Sequence, residues 1–227
     1  MNIEECIKTR RSVRKYKDKP VDWDTIVRIL DAGKFAPSAG NIQNWKFVVV
    51  RKDDVRKKLS EASFDQDWIE DAPVHIVVIG EPDKAERFYG ARGERLYTIQ
   101  SCAAAVENML LMANELGLGS CWVGAFDEAK IRRALNMPEE VVPQAIITIG
   151  YSNGKAEMPP KTELEHTIYF DKWFQKGQGY KAKGYTSVAI QEGIDNVKKT
   201  LNSKATKEKI EKAKDALKNV VKRIKKR

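Results

Sequence analysis

The sequence predicts an α+β fold, with helices layered on one central sheet. Short apolar runs rich in β-formers, residues 47–50 and 76–79 among them, lie between helical patterns at irregular spacing. One long helical pattern, residues 96–116, carries small or apolar side chains on more than one side, so it belongs inside the molecule. There is no internal repeat. The irregular alternation by itself leaves an α/β arrangement open.

Taken in order, Asp22 can cap a helix from Trp23 to about Gly33, with Ile26, Val27, Ile29 and Leu30 as its apolar stripe. Residues 45–51 read as a strand and 53–62 as a charged, exposed helix. Residues 73–80 (PVHIVVIG) form a buried strand bounded by Pro and Gly. In the long helix, Ile99, Cys102, Ala103, Val106, Met109, Leu110 and Ala113 recur at threes and fours, and Gly117 and Gly119 end it. A strand over 120–125, a helix capped by Asp127 and a strand over 144–150 complete the body.

Two domains follow, a body over 1–175 and an extension over 176–227. The extension opens with a linker over 176–184 rich in Gly, Lys and Gln. Val188, Ile190, Ile194, Val197 and Leu201 then suggest a short amphipathic helix, with a turn over 202–205. After it, Ile210, Ala213, Leu217, Val220 and Ile224 form a narrow seam surrounded by lysine. This basic arm can fold back on the body or a second subunit, or it can meet a membrane, nucleic acid or an acidic protein.

The 227 residues fit one large domain, or one with an appendage, and five tryptophans with 42% hydrophobic residues suffice for a sizeable core. No apolar run approaches the roughly 20 residues that cross a bilayer, and residues 1–14 contain no apolar signal-peptide region. The chain therefore reads as soluble and cytoplasmic. Cys6, Cys102 and Cys121 form no CxxC pair, and His75 and His166 are too scattered for a zinc site, so no metal is expected. Net charge is +9, but residues 181–227 hold 15 basic and 5 acidic residues, leaving 26 against 27 for the rest. The body has no electrostatic support for nucleic-acid binding.

Three segments can carry chemistry. In an extended stretch Arg10, Ser12 and Arg14 face one way and Val13 the other. Two guanidiniums and a hydroxyl on one face suit a phosphate, although a solvated basic stretch looks the same. Residues 36–45 (APSAGNIQNW) form a loop able to present amides and hydroxyls to a flat polar ring, or an ordinary helix-to-strand connection. Residues 117–126 (GLGSCWVGAF) contain neither a dinucleotide nor a triphosphate fingerprint. Small residues at Gly124 and Ala125 let backbone approach a ligand, and Cys121 reads as a buried structural thiol.

In this order, the segments resemble the nitroreductase-like FMN-dependent oxidoreductases, the NAD(P)H nitroreductase and NADH oxidase type, over residues 3–173. Five motifs stand in register: residues 10–14 (RRSVR), 36–45, 66–73 (QDWIEDAP), 117–126 and the strand end at 149–151. The resemblance implies a three-layer fold with a mainly antiparallel sheet, and a homodimer with FMN at the subunit interface. It places Arg10, Arg11, Ser12 and Arg14 on the ribityl phosphate, with Lys161 completing that site. Pro37, Ser38, Ala39 and Asn41 would come from the other subunit, with Gln43 a further candidate beside them. Gln66 would bond the pyrimidine edge. Trp122, Val123, Gly124 and Ala125 would pass the ring, with an amide of Gly124 or Ala125 near N5. Three departures stand out: Ser101 for a frequent aspartate, Lys161 for a common arginine, and Asn44 where proline is usual.

No catalytic side chain is implied, because a flavin carries the chemistry at N5. NAD(P)H would serve as electron donor and a quinone, nitroaromatic or other flat small molecule as acceptor, in ping-pong order. Residues 81–97 would wall the flavin, with Phe88, Tyr89, Arg92 and Arg95 selecting substrate; an ordinary surface helix accounts equally for their pattern. Specialised enzymes of the same fold, reductive dehalogenases or flavin-cleaving enzymes, share these motifs.

Overall fold

A computed structural model of the chain describes residues 1–176, which fall in two compact units, 1–158 and the described part of 159–227. The arm's helices and seam lie outside the described residues.

The first unit begins with a helix the sequence reading did not anticipate, α1 (Ile3–Thr9), started by a capping box between Asn2 and Glu5. It continues with α2 (Trp23–Lys34), capped by Asp22 as expected, then β1 (Trp45–Val50) and α3 (Asp53–Ala62). Then come β2 (Val74–Gly80), α4 (Pro82–Arg92), α5 (Thr98–Glu115), β3 (Gly119–Val123), α6 (Glu128–Leu135) and β4 (Val142–Gly150). Though α3 is charged, it is exposed on one side only, since Leu59, Ser60 and Ala62 are buried. The long helix starts later than its pattern suggests, behind a π turn over Gly93–Tyr97. β3 stops at Val123, so Gly124 and Ala125 leave the sheet. β4 begins two residues early and takes in Pro143, which has no N–H to give. The register shifts between Val78 and Ile79, where Pro143 pairs, and this bulge accommodates the proline.

The strands lie in the order β1-β2-β4-β3, every neighbour antiparallel. Alternate residues feed two cores. Ile76, Val78, Ile147 and Ile149 meet Ile26 and Ile29 of α2 and Val106 and Met109 of α5. Val77, Ile79 and Ile146 meet Leu59 of α3 and Ile131 of α6 on the other face. Helices therefore cover both faces, and β2 is buried along its whole length. Among the described residues no helix is long and apolar enough to cross a membrane.

Among the described residues of the second unit, a 3-10 turn, Leu164–His166, precedes three clustered rings, Tyr169, Trp173 and Phe174, with centroids 4.8–5.4 Å apart. The Lys176 ammonium lies 4.5 Å over Tyr169 and donates to Glu165 O at 2.8 Å. Lys161 belongs to this unit.

Candidate functional site

Residues 10–16 run extended beside the sheet because their backbone is stitched to it. After α1 ends, the Val13 N–H donates to Ser120 O at 2.9 Å, a parallel bridge onto β3. Lys17 N–H donates to Tyr151 O at 2.8 Å and Asn153 N–H to Lys15 O at 2.9 Å, which ties the stretch to the end of β4. The approach is close enough to require Gly119: a Cβ there would stand 2.9 Å from the Val13 side chain.

Extended backbone sorts the side chains as alternation dictates. Val13 is buried while Ser12 and Arg14 are exposed and Arg10 is half-buried, and Arg14, Ser12 and Arg10 all favour the ionised form of the Cys121 thiol. Burial nevertheless dominates and pushes that thiol up, so Cys121 stays protonated and unreactive. Arg10 reaches Glu107 only at 3.8 Å, and Arg14 has no carboxylate partner among the described residues. Its guanidinium instead lies 5.6 Å over the Trp68 ring. Arg11 points elsewhere and donates to Lys8 O at 2.6 Å and Arg10 O at 2.8 Å. Arg10 and Arg11 also line a groove of about 480 Å³ floored by Val13, Leu118 and Gly119, with Lys155 beside it.

Trp68 belongs to the loop that carries Gln66, and buried donors pin this loop to the sheet. Arg56 donates to the carbonyls of Glu70 and Ala72, and His75 Nε2 lies 2.8 Å from Ile69 O. Half-buried Gln66 donates its Nε2 to Ser63 O at 2.8 Å, while its own carbonyl accepts from Ser60 Oγ at 3.0 Å. Beyond Cys121, Trp122 is 40% exposed, Val123 is buried, and Gly124 and Ala125 are exposed. Among the described residues neither of those two amides finds an acceptor. Asp127 then anchors the chain, its N–H on Ala62 O and its carboxylate on Lys130 N.

The second group lies elsewhere. The loop into β1 turns through left-handed backbone at Gly40, Asn41 and Gln43, with Ser38 Oγ accepting the Gln43 N–H at 3.0 Å. Pro37 and Asn41 are exposed, Ser38 and Ala39 half-buried, and Gln43 Nε2 donates to Asn41. Two non-glycine residues held in that conformation store strain, a mark of functional loops. Over Gly40 lies Tyr89, whose hydroxyl would be 2.2 Å from a Cβ there. Tyr89 meets Tyr97 edge-on at 5.2 Å, Arg92 Nε donates to Tyr97 Oη at 3.1 Å, and Phe88 is 68% exposed. Arg95 lies near Glu94 at 3.9 Å.

Sequence reasoning recorded Asn44 only as a departure; in the structure it joins this loop to the wall. It is fully buried and donates to Thr98 Oγ1 at 2.9 Å and to Glu81 O. Thr98 Oγ1 in turn donates to Gly93 O at 3.0 Å. An asparagine before a strand carries no signal that would announce such a partner. Tyr16, whose partner Thr148 lies 132 positions away, gives no such signal either.

The structure thus places the expected residues in two separate groups. Arg10, Ser12, Arg14, Gln66 and Trp122 through Ala125 gather at the β3 edge; the loop with Pro37, Ser38, Ala39 and Asn41 and the wall with Phe88, Tyr89, Arg92 and Arg95 gather at the β1 edge. Three strand spacings, about 14 Å, separate the edges. The bridge at Ser12 and the loop also lie at opposite ends of the strands, adding roughly 20 Å.

The model of the nitroreductase family matches residues 7–66 and 62–151. A protein of Methanothermobacter thermautotrophicus with the provisional name NADH dehydrogenase/NAD(P)H nitroreductase is 37% identical over 179 residues, covering 76% of this chain and 88% of its own. An NADH dehydrogenase of Thermus thermophilus is 30% identical, covering 70% and 91%. Among solved structures, a nitroreductase family protein from Clostridium difficile superposes with a TM-score of 0.67 at 31% identity, covering 76% of this chain and all of that one. An FMN-dependent nitroreductase from strain R20291 gives 0.64 at 29% identity, covering 74% and 98%.

Proposed function

Because the chain belongs to the nitroreductase family, we propose that it is an FMN-dependent NAD(P)H oxidoreductase, a homodimer that reduces nitroaromatics, quinones or similar flat electrophiles. The observation that carries this reading is an extended backbone stitched to β3 that buries Val13 and leaves Ser12 and Arg14 exposed, with Arg10 half-buried beside them. Two guanidiniums and a hydroxyl there fit the phosphoryl end of FMN, and among the described residues Arg14 has no competing carboxylate.

When bound, FMN supplies the hydride and electron transfer that no side chain here provides. The protein's part is to hold and orient. Arg10, Ser12 and Arg14 would hold the phosphoryl group. Arg11, turned to the end of α1, contributes positive charge rather than a fixed contact. Gln66 meets the pyrimidine edge from its pinned loop, and Trp122 and Val123 lead the chain past the ring. The uncommitted amides of Gly124 and Ala125 can donate to a ring atom that gains negative charge.

The separation of the two groups supports the dimer. Pro37, Ser38, Ala39 and Asn41 cannot reach the cradle of their own protomer from the opposite sheet edge, so a second copy completes each site. Donor and acceptor would then use the same approach in turn, the order that ping-pong kinetics express. Phe88, Tyr89, Arg92 and Arg95 line the approach and discriminate among acceptors.

Anaerobic titration tests the whole reading. Purified protein is expected to be yellow, and its visible flavin bands should bleach on addition of NADH or NADPH. A colourless preparation that stays colourless after incubation with excess FMN and gel filtration would overturn it.

A further inference from the structure

We propose that Tyr16 is a positioning residue: its buried hydroxyl fixes the peptide between Val13 and Arg14 and thereby aims Arg14 at a phosphoryl group. This rests on the reading of Arg10, Ser12 and Arg14 as the phosphate cradle.

The Tyr16 hydroxyl is 2.7 Å from Val13 O and 2.7 Å from Thr148 Oγ1, and the residue is only 6% exposed. A phenol has one proton, and a carbonyl can only accept. Tyr16 therefore donates to Val13 O, and Thr148 donates into the phenolic oxygen. The longer approach of Thr148 Oγ1 to Cys121 O, 3.4 Å, then has no proton to use. Burial pushes the phenol well above its ordinary value, so it remains a donor at every working pH.

Both polar groups of Val13 are thus clamped, its N–H on Ser120 O and its C=O on Tyr16. The peptide unit is planar, so fixing the Val13 carbonyl also fixes the N and Cα of Arg14. The ring completes the support. Tyr16, Val13 and Ala72 form a small core with Trp68 against it, and Trp68 is the surface on which the Arg14 guanidinium lies. One buried residue thereby controls where Arg14 starts and what its charged end rests on. The proposed phosphate cradle does not itself require a hydroxyl at this position; a phenylalanine would fill the same space and leave Val13 O without its donor.

FMN and riboflavin share the ring system and differ in the phosphate, so their relative affinity reports on the cradle alone. A residue that merely stabilises the fold would weaken both together. With full-length protein stripped of flavin, dissociation constants for each come from quenching of flavin fluorescence. Tyr16→Phe is expected to lower the preference for FMN over riboflavin about five- to tenfold, the scale of one buried hydrogen bond, with riboflavin affinity changed less than about twofold. Thr148→Val should shift the preference the same way by less, and Thr148→Ser should restore it. An unchanged preference in Tyr16→Phe, or equal loss of both affinities, overturns the proposal; if that variant does not fold, an unchanged preference in Thr148→Val does so. Arg14→Ala separates the two readings. If it too leaves the preference intact, the cradle itself is wrong, whereas loss in Arg14→Ala without loss in Tyr16→Phe refutes only the positioning role.

Discussion

The cradle at residues 10–16 and the wall at residues 82–97 are both short stretches bearing arginines and aromatics, yet they are held in opposite ways. In the cradle, Val13 N–H donates to Ser120 of the sheet, Tyr16 donates to Val13 O within the stretch, Lys17 and Asn153 tie it to the end of β4, and Val13 and Tyr16 are buried. The wall carries Phe88 at 68% and Tyr89 at 40% exposure, and its helix breaks at Gly90, where φ is 56° and ψ −153°. Only Ala85 and Gly93 are buried along it up to Tyr97. The difference fits the tasks proposed for the two stretches. A phosphate grip gains from guanidiniums that start in one place, because every hydrogen bond then forms without reordering. A wall that meets acceptors of different outline works with few buried contacts, which is the condition for local movement.

If the cradle side is rigid because buried donors pin it, removing a donor's fit should be felt most there, and acid does so through His75. Ile69 O can only accept, so Nε2 carries the proton and Nδ1 is bare and unpartnered. A second proton would place an uncompensated charge in a buried site beside Arg56. Burial is the chief cause that holds the imidazole down at about 4, and Arg56 adds to it. The unfolded chain binds this proton near pH 6.5, so stability is whole above that value and falls as pH drops from 6.5 toward 4. The window corresponds to about 3 kcal/mol. Urea unfolding at pH 7 and 4.5 should show His75→Gln losing less than the wild type by a large part of that amount. Parallel losses would mean that the loop under Trp68 is not pinned through His75.

Arg14→Ala sharpens the same contrast at the cofactor. Loss of a charge-assisted pair should weaken FMN binding by about 2 kcal/mol, roughly 30-fold. Titration of wall variants alongside it gives the reference. Should Phe88→Ala weaken FMN as much, the division of labour between cradle and wall would be void.

How far the sequence revealed these regions depended on whether the signal was local. Alternation alone placed Arg10, Ser12 and Arg14 on one side, and Asp22 and Asp127 announced their helices as N-caps. α1 went unread because its capping box at Asn2 precedes a helix of only seven residues, in which Ile3, Cys6 and Ile7 are too short a run to establish a period. The Tyr16–Thr148 pair spans 132 positions, and the Asn44–Thr98 pair 54. Side chains that find each other only through the sheet leave no spacing to detect. The division into two groups likewise depends on strand order, which periodicity does not encode.

A smaller effect is expected where loop and wall touch. Gly40 has φ of +52°, and Ala there would hold a Cβ in left-handed backbone, at a cost of about 1 kcal/mol. The same Cβ would push Tyr89 aside, because the clashing atom is the far end of its side chain. Thermal unfolding should register the modest loss, and acceptor specificity should shift while FMN affinity holds. A shift in FMN affinity as large as that of Arg14→Ala would place Gly40 in the cradle's class.

Phe88→Ala should matter least to the fold and most selectively to function. The side chain is 68% exposed and its nearest ring, Tyr89, is 6.5 Å away, so removal opens no cavity. Stability should stay within about 0.5 kcal/mol of the wild type. What the ring can supply is apolar area to an acceptor passing over the wall, and a flat nitroaromatic has more to lose than a small quinone. Steady-state assays with one acceptor of each kind should therefore show kcat/KM falling unequally, with the NAD(P)H half-reaction unchanged in stopped flow. Equal falls for both acceptors, or a slowed half-reaction, would move Phe88 from acceptor choice to general access, and the wall would then act on donor and acceptor alike.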